Sequence, residues 1–192
     1  NNEIGAIQPI KKIKQILKEY KIPLHTDAVQ ALGKIKVDVK ELDVDYLSLS
    51  AHKFYGPKGI GALYVKNKDD LGSLIIGGNQ ESGVRGGTEN ISGIIGMGLA
   101  AELVTKNQDR WIENLKNLEL YFLEKVKHHL PHAVHHKTDN LPGLISISFP
   151  GKKSNILMAK LDRADIAVSN GPACSSGTVS YTHLRAHETN SN

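Results

Sequence analysis

The sequence predicts an α/β fold with a mostly parallel β-sheet, followed by a smaller α+β region. Three short runs typical of strands are interspersed with helical runs in the first half of the chain, which favours helices layered on a sheet. Most of the 18 glycines fall between Gly56 and Gly98, where we expect tight turns and a close approach of backbone to a ligand. Beyond about residue 110 the pattern changes to a helix, two short strands and a further helix.

The first elements follow in order from residue 9. Pro9 stands at the start of a run in which isoleucine, leucine and tyrosine recur at helical spacing with lysines opposite, and this predicts an amphipathic helix. Strands are predicted at residues 22–26, 45–50 and 60–65, with a connection that contains Gly33 between the first two.

Two helices are predicted in the middle of the chain. Thr88 is expected to be the N-cap of the first, which is rich in glycine and alanine and runs to about Val104. Because its side chains are small, this helix should be buried against its neighbours. The second helix covers residues 108–130, and Pro131 ends it.

The last predicted elements are two strands on either side of a helix. Residues 144–149 alternate between apolar and polar side chains, as a half-buried strand does, and residues 166–169 form a second short run. Ser154 can cap the helix that lies between them.

The 192 residues, 40% of them hydrophobic, can bury the core of one large or two small domains. We place a domain boundary near residues 107–111, which divides the chain into 1–110 and 111–180. Residues 181–192 carry no apolar periodicity. We interpret them as a non-native tail, either a cloning remnant or unrelated read-through.

Composition argues against several classes of protein. The formal charge is +4, but the lysines are scattered over helix faces, so nucleic-acid binding is disfavoured. No apolar run approaches the ~20 residues of a membrane span. No secretory leader is visible, and a single cysteine cannot form an internal disulfide, which fits a reducing cytoplasm.

Lys53 is a candidate for covalent catalysis. It follows the strand predicted at 45–50, and Gly56 and Gly59 give room beside it. A lysine held at a strand end suits Schiff-base formation once its surroundings lower the pKa of the amine. The alternative from the residue alone is a solvated lysine in a surface turn.

Asp27 is a second candidate, at the carboxyl end of the first predicted strand. Open α/β sheets bind their ligands at this end of the strands. A carboxylate there can keep the ring nitrogen of a cofactor protonated and so strengthen its pull on electrons. The alternative is that Asp27 is a helix N-cap.

Cys174 is a candidate nucleophile, in a loop of small and polar residues at 170–177. A free cysteine is more often a small buried side chain than a nucleophile. The loop favours the nucleophile, because a glycine-rich polar segment can carry a thiol between a substrate and an acceptor.

Five histidines between His128 and His136 invite interpretation as a metal site. Pro131 interrupts any helical face, however, and no cysteine or carboxylate stands at the usual ligand spacing. We therefore predict no metal site, and we attribute the cluster to exposed imidazoles.

Five segments resemble the pyridoxal 5′-phosphate (PLP)-dependent cysteine desulfurases of the class V aminotransferase superfamily, in the group that supplies sulfur for iron-sulfur clusters. They are NNEIG at 1–5, HTDAVQALGK at 25–34, SLSAHKFYGPKGIGALYV at 48–65, RGGTEN at 85–90 and SNGPACSSG at 169–177. Five motifs in the family's order are far more specific than any one of them. The resemblance implies a fold-type I PLP enzyme, with part of the large domain at 1–110 and part of the small domain at 111–180.

The resemblance also implies the roles of individual residues. Lys53 would bind PLP as a Schiff base and later move the Cα proton of the substrate, and Cys174 would accept sulfur. The further cofactor-binding residues are Asp27 at the ring nitrogen, Gln30 at the ring hydroxyl, Ser50 and His52 at the phosphate, Thr88 at the phosphate of the neighbouring subunit, and Asn2 at the ring oxygen or substrate carboxylate.

The implied activity converts L-cysteine to L-alanine and leaves a persulfide on Cys174. A cytoplasmic homodimer would then pass the sulfur to an iron-sulfur scaffold or sulfur-carrier protein. The alternatives are another PLP-dependent aminotransferase, a selenocysteine lyase, or a non-catalytic interaction module.

The resemblance covers the C-terminal half of the family sequence. We expect three elements of the complete site to be missing: a phosphate-binding loop, a histidine that stacks on the cofactor ring, and an arginine that binds the substrate carboxylate. The segment alone is therefore expected to be inactive or nearly so.

Overall fold

The structure is a computed structural model that describes residues 1–136 and 139–170. Its elements, in chain order, are α1 Ile10–Glu19, β1 His25–Asp27, α2 Val39–Leu42, β2 Tyr46–Ser50, β3 Gly61–Val65, α3 Ile91–His129, β4 Val134–His135, β5 Ile147–Ser148 and α4 Ser154–Asp162.

The first three strands form one sheet in the order β1-β2-β3. Strands β1 and β2 are parallel, whereas β2 and β3 are antiparallel. The α/β class and the three predicted strands are confirmed, with a mixed sheet in the described part of the chain. Strand β1 begins later than predicted, because the Ile22 N–H donates to the Leu17 carbonyl at 3.1 Å and closes the end of α1.

Two clusters of buried apolar side chains hold this region together. One lies under the sheet and is centred on Ala28, Val44 and Leu47. The other joins the segment after β2 to α3, through residues that are buried in both elements: Ala51, Phe54, Ala100 and Val104. The segment that carries Lys53 is therefore packed directly against the long helix.

Ion pairs connect α1 to the segment between α2 and β2, and connect that segment to the end of β3. Lys14, which is buried, pairs with Asp45 just before β2. Lys18 of α1 and Lys66 after β3 both pair with Asp43. Hydrogen bonds from Lys18 and then Lys66 lower the pKa of the Asp43 carboxyl to about 2.

Helix α3 differs from the sequence prediction in two ways. The two helices predicted around residues 107–111 are one continuous helix, so the domain division at that point stays a prediction. Thr88 is not the N-cap: Asn90 is, since its side-chain oxygen accepts from the Gly93 N–H at 3.1 Å. Only one face of the first half of α3 is buried, and Ile95 on the other face is 66% exposed.

The region after α3 is also only partly as predicted. Strand β5 is shorter than the run at 144–149 and pairs with β4, which was not predicted. Helix α4 begins at Ser154, but Ser154 is not its cap, and Ser154 Oγ instead accepts from Asn170 Nδ2 at 3.0 Å. Residues 166–169 are not a strand, because the Ile166 N–H turns back to the Leu161 carbonyl.

Within the described ranges, every helix is too short or too polar to cross a lipid bilayer.

Candidate active site

The candidate site lies at the edge of the sheet where β1 and β2 end. Asp27 is the last residue of β1 and is paired with Ser48 of β2. The pairing continues one residue further, because the Ala28 N–H donates to the Ser48 carbonyl at 3.0 Å. Since the strands are parallel, the segments that follow them leave at the same edge, where α/β sheets bind ligands.

One face of this edge carries polar side chains from both strands. Alternation along a strand puts His25 and Asp27 on the same face. Asp27 pairs with Ser48, so Ser48 lies on that face too, and alternation along β2 adds Ser50. His25 Nε2 and Ser48 Oγ lie 2.7 Å apart and share a hydrogen bond across the strands. The opposite face carries Leu47 into the core.

Ser50 and His52 are brought together directly after β2. Ser50 Oγ lies 2.9 Å from His52 Nδ1. The hydroxyl is half-buried and the imidazole is exposed. This pair offers a hydroxyl and a ring nitrogen to an anion at the same point of the edge.

The backbone that presents Lys53 is fixed, although the side chain is exposed. Residues Ala51–Lys53 form a 3-10 turn, and the Ala51 N–H donates to the Ile60 carbonyl at 3.1 Å. The Gly56 N–H closes the loop on the Ala51 carbonyl at 2.9 Å. A Cβ at Gly56 would lie 2.8 Å from the Ala51 Cβ, so this close approach requires glycine.

The turn that follows β1 holds Asp27, Gln30 and Lys34. Asp27 Oδ1 accepts from the Val29 N–H at 2.8 Å, which fixes the carboxylate in the turn. Lys34 Nζ donates to Gln30 Oε1 at 2.9 Å. Burial, and then the positive charge of Lys53, lower the pKa of the Lys34 amine.

Two further predicted site residues are found in other segments of the chain, and a third is not described. Asn2 is in an N-terminal turn closed by the Gly5 N–H on the Asn1 carbonyl at 3.1 Å. Thr88 is exposed in the segment that precedes α3. Cys174 lies outside the described residues. The roles of these three residues therefore stay predictions.

His25, Ser48 and Lys34 belong to this edge, but sequence reasoning did not select them. A signal was available for the first two, because each stands two residues before a selected residue, Asp27 or Ser50, and so shares its face. For Lys34 the signal was its spacing of four residues from Gln30 in a turn, which is common to many surface lysines and so has little specificity.

The five histidines from His128 to His136 are spread over different elements. The rings of His128 and His129 meet edge to face, with centroids 4.7 Å apart, and His136 Nε2 lies 2.7 Å from Ser148 Oγ. Within residues 1–136 and 139–170, no group of three or more histidine, cysteine or acidic side chains is placed to hold a metal ion.

The chain matches the model of a known protein family. The family model described as aminotransferase class-V matches residues 1–190, and the chain belongs to that family. The resemblance read from the five sequence motifs is thereby confirmed.

Individual proteins similar to this chain have more specific names than the family model. A cysteine desulfurase IscS from Dictyoglomus turgidum is 46% identical over 186 residues, which cover 96% of this chain and 47% of the relative. A NifS-like protein from Rickettsia africae has a TM-score of 0.84 at 35% identity, over 90% of this chain and 48% of that one. A structure titled SspA in complex with cysteine has a TM-score of 0.67 at 33% identity, over 92% of this chain and 49% of that one. The chain spans about half the length of the curated relatives it matches.

Proposed function

We propose that the complete protein carrying this sequence is a PLP-dependent cysteine desulfurase. The observation that carries the proposal is the single edge at which Asp27, the Ser50–His52 pair and Lys53 follow two parallel strands. A relative named cysteine desulfurase IscS is 46% identical to this chain across the matched length, and this supports the same assignment.

The side chains at this edge fit PLP by their chemistry. PLP carries an aldehyde, a ring nitrogen that can be protonated, a ring hydroxyl and a phosphate. The edge offers an amine at Lys53, a carboxylate at Asp27, and a hydroxyl with an imidazole at Ser50 and His52.

Each residue of the edge then has a task that its position allows. When bound, PLP supplies an electron sink for the charge left on the substrate carbon as its proton leaves. Asp27 keeps a proton on the ring nitrogen, and Ser50 and His52 bind the phosphate and fix the orientation of the ring. Lys53 would bind the cofactor covalently, and its amine would move the Cα proton of the substrate.

Cys174 completes the proposed reaction by accepting sulfur. Its thiolate forms the new sulfur-sulfur bond while the bond from sulfur to the substrate Cβ breaks, and Cβ keeps the electron pair. After protonation the carbon skeleton leaves as L-alanine. The outer sulfur of the persulfide then passes to a scaffold or sulfur-carrier protein. We further propose that the enzyme works as a cytoplasmic homodimer, with Thr88 at the phosphate of the other subunit and Asn2 near the ring oxygen or substrate carboxylate.

The experiment that tests this function uses the complete protein with PLP and L-cysteine. We expect visible absorbance from the bound cofactor, release of alanine without any keto acid, and a persulfide on the protein by mass spectrometry. Turnover that needs a keto acid would instead identify an aminotransferase, and strong preference for selenocysteine a lyase. A protein that takes up no cofactor would be a non-catalytic interaction module.

A further inference from the structure

The hydrogen bond between Lys34 and Gln30 determines which way the Gln30 amide points. A protonated lysine amine has three N–H donors and no acceptor. The amide can therefore face Lys34 only with its oxygen, and Lys34 Nζ lies 2.9 Å from Gln30 Oε1. The other end of the amide, Nε2 with two N–H donors, is turned away from the lysine.

This orientation matters because the two ends of a glutamine amide have opposite chemistry. Gln30 stands three residues after Asp27, the last residue of β1, at the edge where the proposed cofactor binds. An ionised ring hydroxyl is a hydrogen-bond acceptor, so it is stabilised by an N–H and repelled by a carbonyl oxygen. A free glutamine side chain can present either end.

We propose that Lys34 is a positioning residue that holds Gln30 with its N–H end toward the ring oxygen of the cofactor. The proposal rests on the proposed PLP function and deepens it. Lys34 does not touch the cofactor in this arrangement and acts through the amide of Gln30.

The turn that carries both residues is rigid enough for this role. The Lys34 N–H and the Ile35 N–H both donate to the Ala31 carbonyl at 3.0 Å. Gln108 of α3 donates from Nε2 to the Ile35 carbonyl at 2.7 Å and ties the turn to the long helix. Gly33 has a φ of +85°, and a Cβ there would lie 3.1 Å from Val104 Cγ1, so the backbone passes close to α3.

The position of Lys34 also separates it from an ordinary surface lysine. Its amine is half-buried, and burial and then the positive charge of Lys53 lower its pKa. Lys36, two residues further on, is exposed and pairs with Glu41. Lys36 is therefore a matched control, because it is a neighbouring lysine with a partner outside the edge.

The first arm of the test needs no cofactor. In the complete protein with nitrogen-15 in glutamine side chains, the Gln30 signal is assigned by its loss in Gln30→Glu. We expect Lys34→Met to shift this amide signal, and we expect Lys34→Arg and Lys36→Met to leave it near its wild-type position. An unchanged Gln30 signal in folded Lys34→Met overturns the proposal.

The second arm measures PLP affinity in a double-mutant cycle. We expect Lys34→Met to weaken PLP binding about fivefold, the size of one hydrogen bond, and to have no further effect in a Gln30→Ala background. A cofactor analogue without the ring hydroxyl should bind equally to wild type and Lys34→Met. Equal weakening in both backgrounds contradicts the proposal, because Lys34 would then act independently of Gln30.

The two arms separate this proposal from the proposed function. If the wild-type protein binds no PLP, the desulfurase assignment fails and the role of Lys34 toward the ring fails with it. If PLP binds and the amide signal does not depend on Lys34, the proposed function stands and the positioning role is wrong. Lys34→Arg retains donors at this position, so recovery of affinity in that variant supports the hydrogen bond.

Discussion

Asp27 and Ser48 lie directly opposite each other in the parallel pairing of β1 with β2. Because both strands end within two residues of this pair, the turn with Gln30 and the turn with Lys53 leave the sheet side by side. Residues that are distant in sequence thus share a single frame of backbone hydrogen bonds. The effect of a substitution in the turn that contains Gln30 on the side chains of the turn that contains Lys53 can therefore be measured.

The first prediction concerns the covalent link. Lys53→Ala should abolish the attachment of PLP, because Lys53 is the lysine presented directly after β2 beside Ser50 and His52. Borohydride reduction followed by peptide mapping measures the attachment site. Lys58→Ala is the control, since Lys58 is exposed in the same loop and its loss should leave the label on Lys53.

The same mapping can refute the assignment. Lys34 is the strongest competitor, because it is half-buried and lies in the turn that leaves the sheet at the same edge. Label recovered on Lys34 or Lys58 in the wild-type protein would show that Lys53 is not the attachment site.

The second prediction separates binding from chemistry at Asp27. Asp27→Asn should lower turnover on the order of a hundredfold and lower PLP content far less. An asparagine oxygen can still accept from the Val29 N–H, so the turn is kept, while the charge that holds the ring proton is lost. Turnover and cofactor absorbance are measured on the same sample, and unchanged turnover would remove Asp27 from this role.

The third prediction tests the loop that holds Lys53. Gly56→Ala should lower the free energy of unfolding by about 1–3 kcal/mol, typical of overpacking, because the new Cβ meets Ala51 at 2.8 Å. It should also reduce the fraction of protein that forms the link to PLP. Gly72→Ala is the matched control, since its Cβ meets nothing within 4 Å. Equal stability of the two variants would mean that the loop relaxes at little cost.

The sequence predicts those features of the structure whose pattern of residues is visible within one stretch of the chain. Lys53 and Asp27 were selected as candidates because each stands at the end of a strand predicted from the sequence. Strand β5 lies within the run predicted at 144–149, whereas β4 was not predicted, because the two residues Val134 and His135 are too few to show a period.

The continuity and the N-cap of the long helix α3 were not predicted from the sequence. Helical spacing was recognised on both sides of residue 107, and no glycine or proline stands between residues 99 and 130 to separate the two runs. The absence of a helix breaker was the available signal that the two runs join. The N-cap was misplaced for a different reason, since both Thr88 and Asn90 are good capping residues and only the geometry selects Asn90.

The fourth prediction concerns acid stability. Hydrogen bonds from Lys18 and then Lys66 lower the pKa of Asp43 from 3.8 to about 2. A lowered pKa in the folded state stabilises the protein above the unfolded pKa, and this stabilisation is lost as the pH falls from about 4 toward 2. Asp43→Asn should therefore melt below wild type at pH 6, and the gap should close across that window.

Asparagine is the suitable replacement at this position, because Asp43 has a left-handed backbone with a φ of 54° that asparagine tolerates. The group is exposed, so added salt should also narrow the gap. Asp109→Asn changes an exposed carboxylate of α3 and serves as the control at each pH. A gap between wild type and Asp43→Asn that stays constant from pH 6 to pH 2.5 would contradict the proposed effect of ionisation.

The last prediction concerns Cys174 and follows from a division of labour between two residues. Lys53 and the groups around it prepare the substrate for loss of sulfur, whereas Cys174 receives that sulfur. Cys174→Ser should therefore leave cofactor attachment and cysteine binding intact. A hydroxyl is a poor nucleophile toward sulfur at neutral pH, while a thiol is partly ionised and strongly nucleophilic, so turnover should nearly stop.

Three measurements on one sample of the complete protein test this division: the cofactor spectrum after cysteine is added, the release of alanine, and the persulfide by mass. Cys174→Ser should still change colour with cysteine, yet it should carry no persulfide and release almost no alanine. Ser176→Ala is the control, because it changes a residue two positions from Cys174 in the sequence and keeps the thiol. If Cys174→Ser makes alanine at the wild-type rate, sulfur leaves without this thiol, and an aminotransferase or lyase then explains the site better than a desulfurase.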